Sequence, residues 1–369
     1  MITTMSTPLP PGPPPRPARR VTVDDVANHA DRIDVRSPSE FAEDHLPGAV
    51  NLPVLDDDER ELVGTMYVQQ SAFDARKSGA AIVARNIARI VESHVRDKPR
   101  EWAPLVYCWR GGQRSRALAH VLSEIGFRAV QLEGGYRAYR RHVVAMLTHL
   151  PETFRYRVVC GLTGCGKSRL VEAIAAEGGQ ALDLEALARH RGSLLGDLPG
   201  SPQPSQKAFE TALHDALTRF DPARPVYVES ESRRIGRLQV PEALLVAMRG
   251  APCVRIETPQ ALRVAMLADD YVHFVHDDAA LGAQLAPLAK LHGNAVIARW
   301  QAMIECAELH ALAAELLETH YDPCYRRAIQ ANFPHFAQAP VLRVADVSPA
   351  SFRALARKVL DDPALSRAA

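Results

Sequence analysis

The stretch Arg157-Val158-Val159-Cys160-Gly161-Leu162-Thr163-Gly164-Cys165-Gly166-Lys167-Ser168 decides the reading of the C-terminal half of the chain. An apolar run, read as a strand over 157–160, meets a turn with the spacing G-x-x-x-x-G-K-[ST]; helical periodicity then runs over 167–176. In a strand–turn–helix of this kind, successive backbone N–H groups wrap phosphate oxygens. The lysine reaches the outer phosphates and the hydroxyl can ligate Mg²⁺. Gly161, Thr163, Gly164, Gly166, Lys167 and Ser168 are therefore the expected phosphate-binding residues, with Cys165 a spacer between them.

A metal at such a loop needs a carboxylate at the end of a neighbouring strand. Val226-Tyr227-Val228-Glu229-Ser230-Glu231 offers Glu229 or Glu231, and Leu182-Asp183 offers Asp183. The corresponding position of nucleotide hydrolases is more often aspartate, and a phosphate loop does not by itself specify ATPase activity. Further strands are expected at 180–184, 225–229 and 253–257. An Ala- and Leu-rich helical segment is expected at 260–330, and a closing strand and helix at 340–344 and 351–360.

Upstream, Val106-Tyr107-Cys108-Trp109-Arg110-Gly111-Gly112-Gln113-Arg114-Ser115 also follows a strand and opens a helix. Loop N–H groups and the helix N-terminus make an anion cradle. Cys108 lies in that field with Arg110 and Arg114 nearby. Such surroundings are expected to lower its pKa below about 8.5 and hold the nucleophilic thiolate. Arg110, Gly111, Gly112, Arg114 and Ser115 complete the expected anion loop. Short apolar runs at 32–35, 105–107 and 129–132 read as buried strands, so this half too is expected to be a parallel α/β unit.

The N-terminal half resembles the rhodanese family. The resemblance rests on Asp34-Val35-Arg36-Ser37-Pro38-Ser39-Glu40-Phe41, His45-Leu46-Pro47-Gly48-Ala49-Val50-Asn51, the Cys108 loop and Leu132-Glu133-Gly134-Gly135-Tyr136, across about residues 21–145. Five residues separate Cys108 from Arg114, one more than in the usual thiosulfate sulfurtransferase loop. The wider cradle suits a phosphate-like oxyanion. The spacing leaves two chemistries open, phosphoester cleavage or chalcogen transfer from a phosphate-bearing donor.

A rhodanese unit with an enlarged loop followed by a phosphate loop resembles the tRNA 2-selenouridine synthase family. The likeness extends to Leu182-Asp183-Leu184-Glu185, His190-Arg191-Gly192-Ser193, Gln203-Pro204-Ser205-Gln206-Lys207-Ala208-Phe209-Glu210, Glu229-Ser230-Glu231-Ser232-Arg233-Arg234-Ile235-Gly236 and His320-Tyr321-Asp322-Pro323. It implies a transferase that replaces the sulfur of wobble 2-thiouridine in tRNA by selenium from selenophosphate. The route it implies passes through an S-geranyl intermediate made from geranyl diphosphate. Cys108 would carry selenium as a selanylcysteine, and the phosphate loop would hold the diphosphate. The implied partners are tRNA, selenophosphate and geranyl diphosphate, with neither DNA nor a membrane among them. No tightly bound cofactor is implied, although Mg²⁺ could act at the phosphate loop.

The expected organisation is a Pro-rich tail over 1–20, a rhodanese-like domain over 21–148 and a P-loop α/β domain over 149–369 containing the helical segment. The polar stretch around Leu150–Thr153 is the expected linker. With 44 Lys+Arg, 43 Asp+Glu and a net charge of +1, a uniformly basic nucleic-acid coat is excluded, while a local patch is not. Candidate tRNA contacts are Arg137, Arg140 and Arg141 beside Tyr136 and Tyr139, and Arg233 with Arg234; charge alone fits a solvated surface equally well. His273, His276, Asp277 and Asp278 read as a polar helix end rather than a metal site. Six cysteines without paired spacing, no signal-like N-terminus and no apolar run of membrane-spanning length point to the cytoplasm.

Two rivals remain at this level. One is a rhodanese-fold phosphatase or arsenate reductase joined to a P-loop small-molecule kinase. The other is a non-catalytic, nucleotide-sensing binding protein, against which the intact Cys108 argues.

Overall fold

The computed structural model describes residues 18–270 and 278–362. His273, His276 and Asp277 lie outside them, and so does the side chain of Asp278. The chain divides into two compact units, Met1–His142 and Val143–Ala369.

The first unit contains β1 (Arg19–Val21), β2 (Arg32–Asp34), α1 (Pro38–Glu43), β3 (Ala49–Asn51), α2 (Asp57–Gln69), α3 (Ala72–Ile90), β4 (Leu105–Tyr107), α4 (Gln113–Ile125), β5 (Val130–Leu132) and the start of α5 (Gly135–Leu147). Its five strands are all parallel, in the order β1-β5-β4-β2-β3. Every residue of β4 and β5 is buried, as expected of inner strands covered on both faces. The core joins Ile33, Val35, Val106, Leu118 and Leu122.

Three sequence expectations need correction here. Arg19 and Arg20, assigned to the tail, belong to β1, which pairs with β5. At this edge only Val21 is buried, so the strand carries no apolar signature. The unit boundary falls inside α5, upstream of the expected linker, and Leu150–Thr153 forms a short 3₁₀ turn. The helices α2 and α3, which fill the connection between β3 and β4, were not foreseen. Asp56 caps α2 by accepting from Glu59 N at 2.8 Å, and the Ser71 hydroxyl caps α3 by accepting from Phe73 N at 3.1 Å.

The second unit continues with β6 (Tyr156–Cys160), α6 (Lys167–Ala176), β7 (Gln180–Leu182), α7 (Leu184–Ala188), α8 (Gln206–Thr218), β8 (Val226–Glu229), the small hairpin β9 (Arg234–Ile235) and β10 (Leu238–Gln239), α9 (Glu242–Arg249) and β11 (Cys253–Glu257). A helical stretch follows: α10 (Gln260–Asp270), α11 (Asp278–Leu285), α12 (Ala289–His292), α13 (Asn294–Glu305), α14 (Leu309–Leu316) and α15 (Asp322–Asn332). β12 (Val341–Arg343) and α16 (Pro349–Asp361) close the chain. The main sheet is parallel, in the order β12-β11-β6-β8-β7. Its core includes Val159, Leu170, Ile174, Val254 and Phe352. The helical stretch has a separate core around Trp300, Leu285, Leu312 and Leu316. Trp300 is fully enclosed, and its indole N–H donates to Glu315 at 2.9 Å.

Both motifs leave the carboxyl end of the middle strand of their own sheet, β4 for the cysteine loop and β6 for the phosphate loop. In open parallel sheets this is where ligands bind.

Candidate functional sites

In the first unit, Cys108 lies at the end of β4 and is 3% exposed. Two donors converge on its sulfur: Gly112 N at 3.3 Å and the Ser115 hydroxyl at 3.2 Å. The Gln131 amide holds this arrangement, donating to Ser115 Oγ at 2.8 Å and to the Gly111 carbonyl at 2.9 Å. Gly134 and Gly135 back the loop. Tyr136 N donates to the Cys108 carbonyl at 2.9 Å and Arg137 N to the Trp109 carbonyl at 3.0 Å. Gly135 has φ +58°, and a Cβ there would collide with the Cys108 carbonyl, so this close approach requires glycine.

The Asp34–Phe41 motif supports the same loop from the other side. Arg36, enclosed against Tyr136 at 4.0 Å, donates to Asp34 Oδ2 and to the Asp44 carbonyl, each at 2.6 Å. Glu40 accepts from Arg114 at 2.8 Å and pairs with Arg60 at 3.0 Å. Burial alone would raise the Glu40 carboxyl, but Arg114 and Arg60 bring it below its ordinary value. Arg114 is thus held at the loop by a carboxylate, whereas Arg110 is exposed.

In the second unit, the phosphate loop joins β6 to α6. The Lys167 ammonium donates to the Gly161 carbonyl at 3.3 Å and lies 4.8 Å from the Tyr325 ring. Burial would lower its pKa, but Tyr325, Cys165, Glu185 and Glu231 around it hold it above the ordinary value. Ser168 Oγ is within hydrogen-bond reach of Glu185 at 2.8 Å and Glu229 at 2.9 Å. Carboxylate oxygens of Glu185, Glu229 and Glu231 lie within 4.8 Å of one another. Burial pushes the Glu231 carboxyl up to about 8, helped by Glu185 and opposed by Lys167. Glu229 is pushed well up by burial and by its acidic neighbours.

Of the acids expected from sequence, Glu229 and Glu231 are in this cluster. Asp183 is used as the N-cap of α7, accepting from Ala186 N at 2.8 Å, and Glu185 two residues on joins the cluster instead. Sequence reasoning also missed Arg263. Buried in α10, it donates to the Thr163 carbonyl at 2.9 and 2.7 Å and to Asp322 at 2.9 Å, bracing the loop from the side. The signal for it was Asp322 within His320-Tyr321-Asp322-Pro323, which gave no hint of its partner. Cys165 is buried, and burial raises its thiol pKa, in keeping with a spacer.

The phosphate loop opens into a cavity of about 650 Å³ whose lining includes Lys167, Ser168, Glu231 and Arg191 together with apolar side chains such as Met266 and Phe333. A second, apolar cavity of about 600 Å³ lies alongside it, lined by Leu195, Leu281, Leu312 and Leu316. Thr163, Leu267 and Tyr321 line both.

Comparison with known proteins matches both units. Residues 22–142 fit the rhodanese-like domain, and residues 154–286 fit the tRNA 2-selenouridine synthase AAA domain. A tRNA 2-selenouridine synthase of Chromohalobacter salexigens is 35% identical over 324 residues, covering 81% of this chain and 88% of that protein. The chain belongs to the tRNA 2-selenouridine synthase family. Relatives of the same name from Sulfurovum and Nitrosomonas europaea are 37% and 38% identical. The first match covers 68% of this chain and 69% of the relative; the second covers 65% and 63%.

Within this synthase-family chain, the candidate RNA contacts scatter. Arg137 and Arg141 are exposed on α5, while Arg140 is half-buried. Arg233 and Arg234 are exposed at the β9–β10 hairpin, where Arg233 faces Glu242 at 3.9 Å. Among the described residues no helix is long and apolar enough to cross a membrane. All six cysteines are free.

Proposed function

We propose that the chain is a tRNA-modifying transferase that replaces the sulfur of wobble 2-thiouridine by selenium from selenophosphate, through an S-geranyl intermediate made from geranyl diphosphate. The observation that carries this reading is the pair of adjoining cavities in the second unit. A phosphate-loop cavity that shares Thr163, Leu267 and Tyr321 with an apolar chamber suits a diphosphate bearing a hydrocarbon tail. A nucleoside diphosphate would leave that chamber without a matching group.

In this reading Gly161, Thr163, Gly164, Gly166, Lys167 and Ser168 hold the diphosphate. As the thiouridine sulfur attacks the geranyl carbon, Lys167 and the loop amides take up the charge of the departing diphosphate. Ser168, Glu185, Glu229 and Glu231 fit a magnesium ion, since three converging carboxylates with raised pKa values are an excess of negative charge that a divalent cation neutralises. When bound, Mg²⁺ would supply further charge neutralisation at the diphosphate. S-alkylation makes the sulfur a better leaving group from C2. Arg110 and Arg114 orient selenophosphate over Gly111 and Gly112, beside the Cys108 sulfur that Gly112 and Ser115 hold; its selenium adds to C2, geranylthiol departs, and water then cleaves the Se–P bond to release phosphate. Transfer to a cytoplasmic tRNA pool needs neither DNA nor a membrane.

The test is nucleoside mass spectrometry on tRNA containing 2-thiouridine. The tRNA is incubated with the protein, geranyl diphosphate and selenophosphate, omitting each in turn, and with Cys108→Ala. Formation of 2-selenouridine that requires Cys108 and no ATP is the expected result. Unaltered tRNA accompanied by ATP consumption would instead make the chain a kinase.

A further inference from the structure

We infer that the groove between α2, α3 and α4 of the first unit is the surface that receives the single-stranded RNA loop carrying the target uridine. This rests on the tRNA-modifying reading above and adds the place of contact. The groove is a cavity of about 1150 Å³ with an apolar base of small and aliphatic side chains, and its lining also includes Arg20 of β1, Tyr67 of α2, Arg76 of α3, and Arg114, Arg116 and His120 of α4. Among the described residues, no aspartate or glutamate lines it. In a chain whose charges nearly cancel, four arginines, of which only Arg114 is paired with a carboxylate among the described residues, make a local positive field.

The arginines differ in how they are engaged. Arg114 is paired with Glu40, and His120 lies 3.7 Å from Glu124. Among the described residues no carboxylate pairs with Arg20, Arg76 or Arg116; Arg76 donates only to the Ala72 carbonyl of its own helix. Three guanidinium groups therefore keep their charge for phosphate. Tyr67 adds an aromatic face that is 59% exposed. Guanidinium groups along a backbone and an open aromatic ring for a base are what a splayed single-stranded RNA loop requires.

The groove also adjoins the cysteine loop. Its floor includes Gln131, which donates to Ser115 Oγ, and Ser115 in turn donates to Cys108 Sγ. Gln113 and Arg114 of the cysteine loop form part of its wall.

The experiment measures binding of 2-thiouridine-containing tRNA to the full chain across a salt series. The variants are Arg76→Ala/Arg116→Ala, Arg20→Ala, Tyr67→Ala and Tyr67→Phe. Arg85→Ala serves as a charge control, because it lies nine residues from Arg76 on α3 and outside the groove lining. Melting temperature and alkylation of Cys108 report that each variant is folded. The double variant is expected to bind about tenfold or more weakly and to lower the slope of log affinity against log salt by about two. Arg20→Ala weakens binding and lowers the slope by about one. Tyr67→Ala weakens binding and Tyr67→Phe restores it; Arg85→Ala matches the wild type. If the double variant and Arg85→Ala bind alike with the wild-type slope, the groove is not the RNA surface, although the proposed activity stands. If the wild-type chain itself fails to bind tRNA, both readings fall together. If poly-glutamate displaces tRNA from the groove and Tyr67→Ala has no effect, the surface belongs to an acidic protein instead.

Discussion

The Ser115 hydroxyl lies 3.2 Å from the Cys108 sulfur and donates to it. Because Gln131 donates to the same hydroxyl oxygen at 2.8 Å, the Ser115 proton is left free to point at sulfur. The hydrogen bond thus supports the sulfur when it carries negative charge. Ser115→Ala should slow alkylation of Cys108 by iodoacetamide at pH 7 about two- to tenfold, the equivalent of one hydrogen bond of about 0.5–1.5 kcal/mol. Selenation should slow with it while S-geranylation continues. An unchanged alkylation rate would leave Ser115 as a packing residue.

Lys167 belongs to the other unit and to the other proposed half-reaction. Lys167→Ala should reduce S-geranylation by about 10²-fold or more, the usual loss when a group stabilising developing charge is removed. Its alkylation rate at Cys108 should equal that of the wild type. Selenation of 2-thiouridine should fall with S-geranylation, because the S-geranyl intermediate comes first, while selenation of preformed S-geranyl-2-thiouridine in tRNA should continue. Loss of that step too would mean that the two loops do not divide the chemistry in this way.

The two loops were legible in sequence because their chemistry is local: glycines, lysine and cysteine sit within about one turn of a strand end, and the spacing alone implies the geometry. The parallel strands β4 and β6 were legible for a similar reason, being short, mostly apolar runs buried along their whole length. What stayed hidden depends on long-range approach. Glu185 enters the acidic cluster only because β7 and β8 are neighbours, and Arg263 meets Asp322 across 59 positions of chain. The edge strand β1 was mistaken for tail because it buries one side chain, and α2 was not foreseen because it buries none. The basic groove draws on five separate elements, so no single segment advertises it.

The apolar cavity gives a prediction about substrate length. Ala313 lines it away from the shared wall. Ala313→Trp should displace about two methylene groups of a bound geranyl chain, a loss of about 1.6 kcal/mol and roughly a tenfold rise in KM for geranyl diphosphate. Inorganic diphosphate should bind as before, and dimethylallyl diphosphate, with its shorter tail, should be less affected. Equal weakening of all three ligands in a competition assay would place the hydrocarbon tail elsewhere.

The acidic cluster predicts a pH dependence whose sign follows from Glu231. In the folded chain its carboxyl is pushed up to about 8 by burial and by Glu185, whereas in an unfolded chain a glutamate ionises near about 4.3. Between those values the native state holds more protons than the unfolded state, so this group's contribution to stability is present at low pH and is lost as pH rises towards 8. Glu229, raised in the same direction, adds to the slope. Without divalent cations, the melting temperature of the wild type relative to Glu231→Gln should therefore fall between pH 6 and pH 9. Magnesium ions should restore it most at the upper end, because a cation at Ser168, Glu185, Glu229 and Glu231 takes over the charge balance that the proton supplied at lower pH. Thermal melts of the two chains, with and without Mg²⁺ across this range, make the comparison. A difference that stays flat with pH would mean that Glu231 is already ionised in the metal-free protein, and that Lys167 alone balances it.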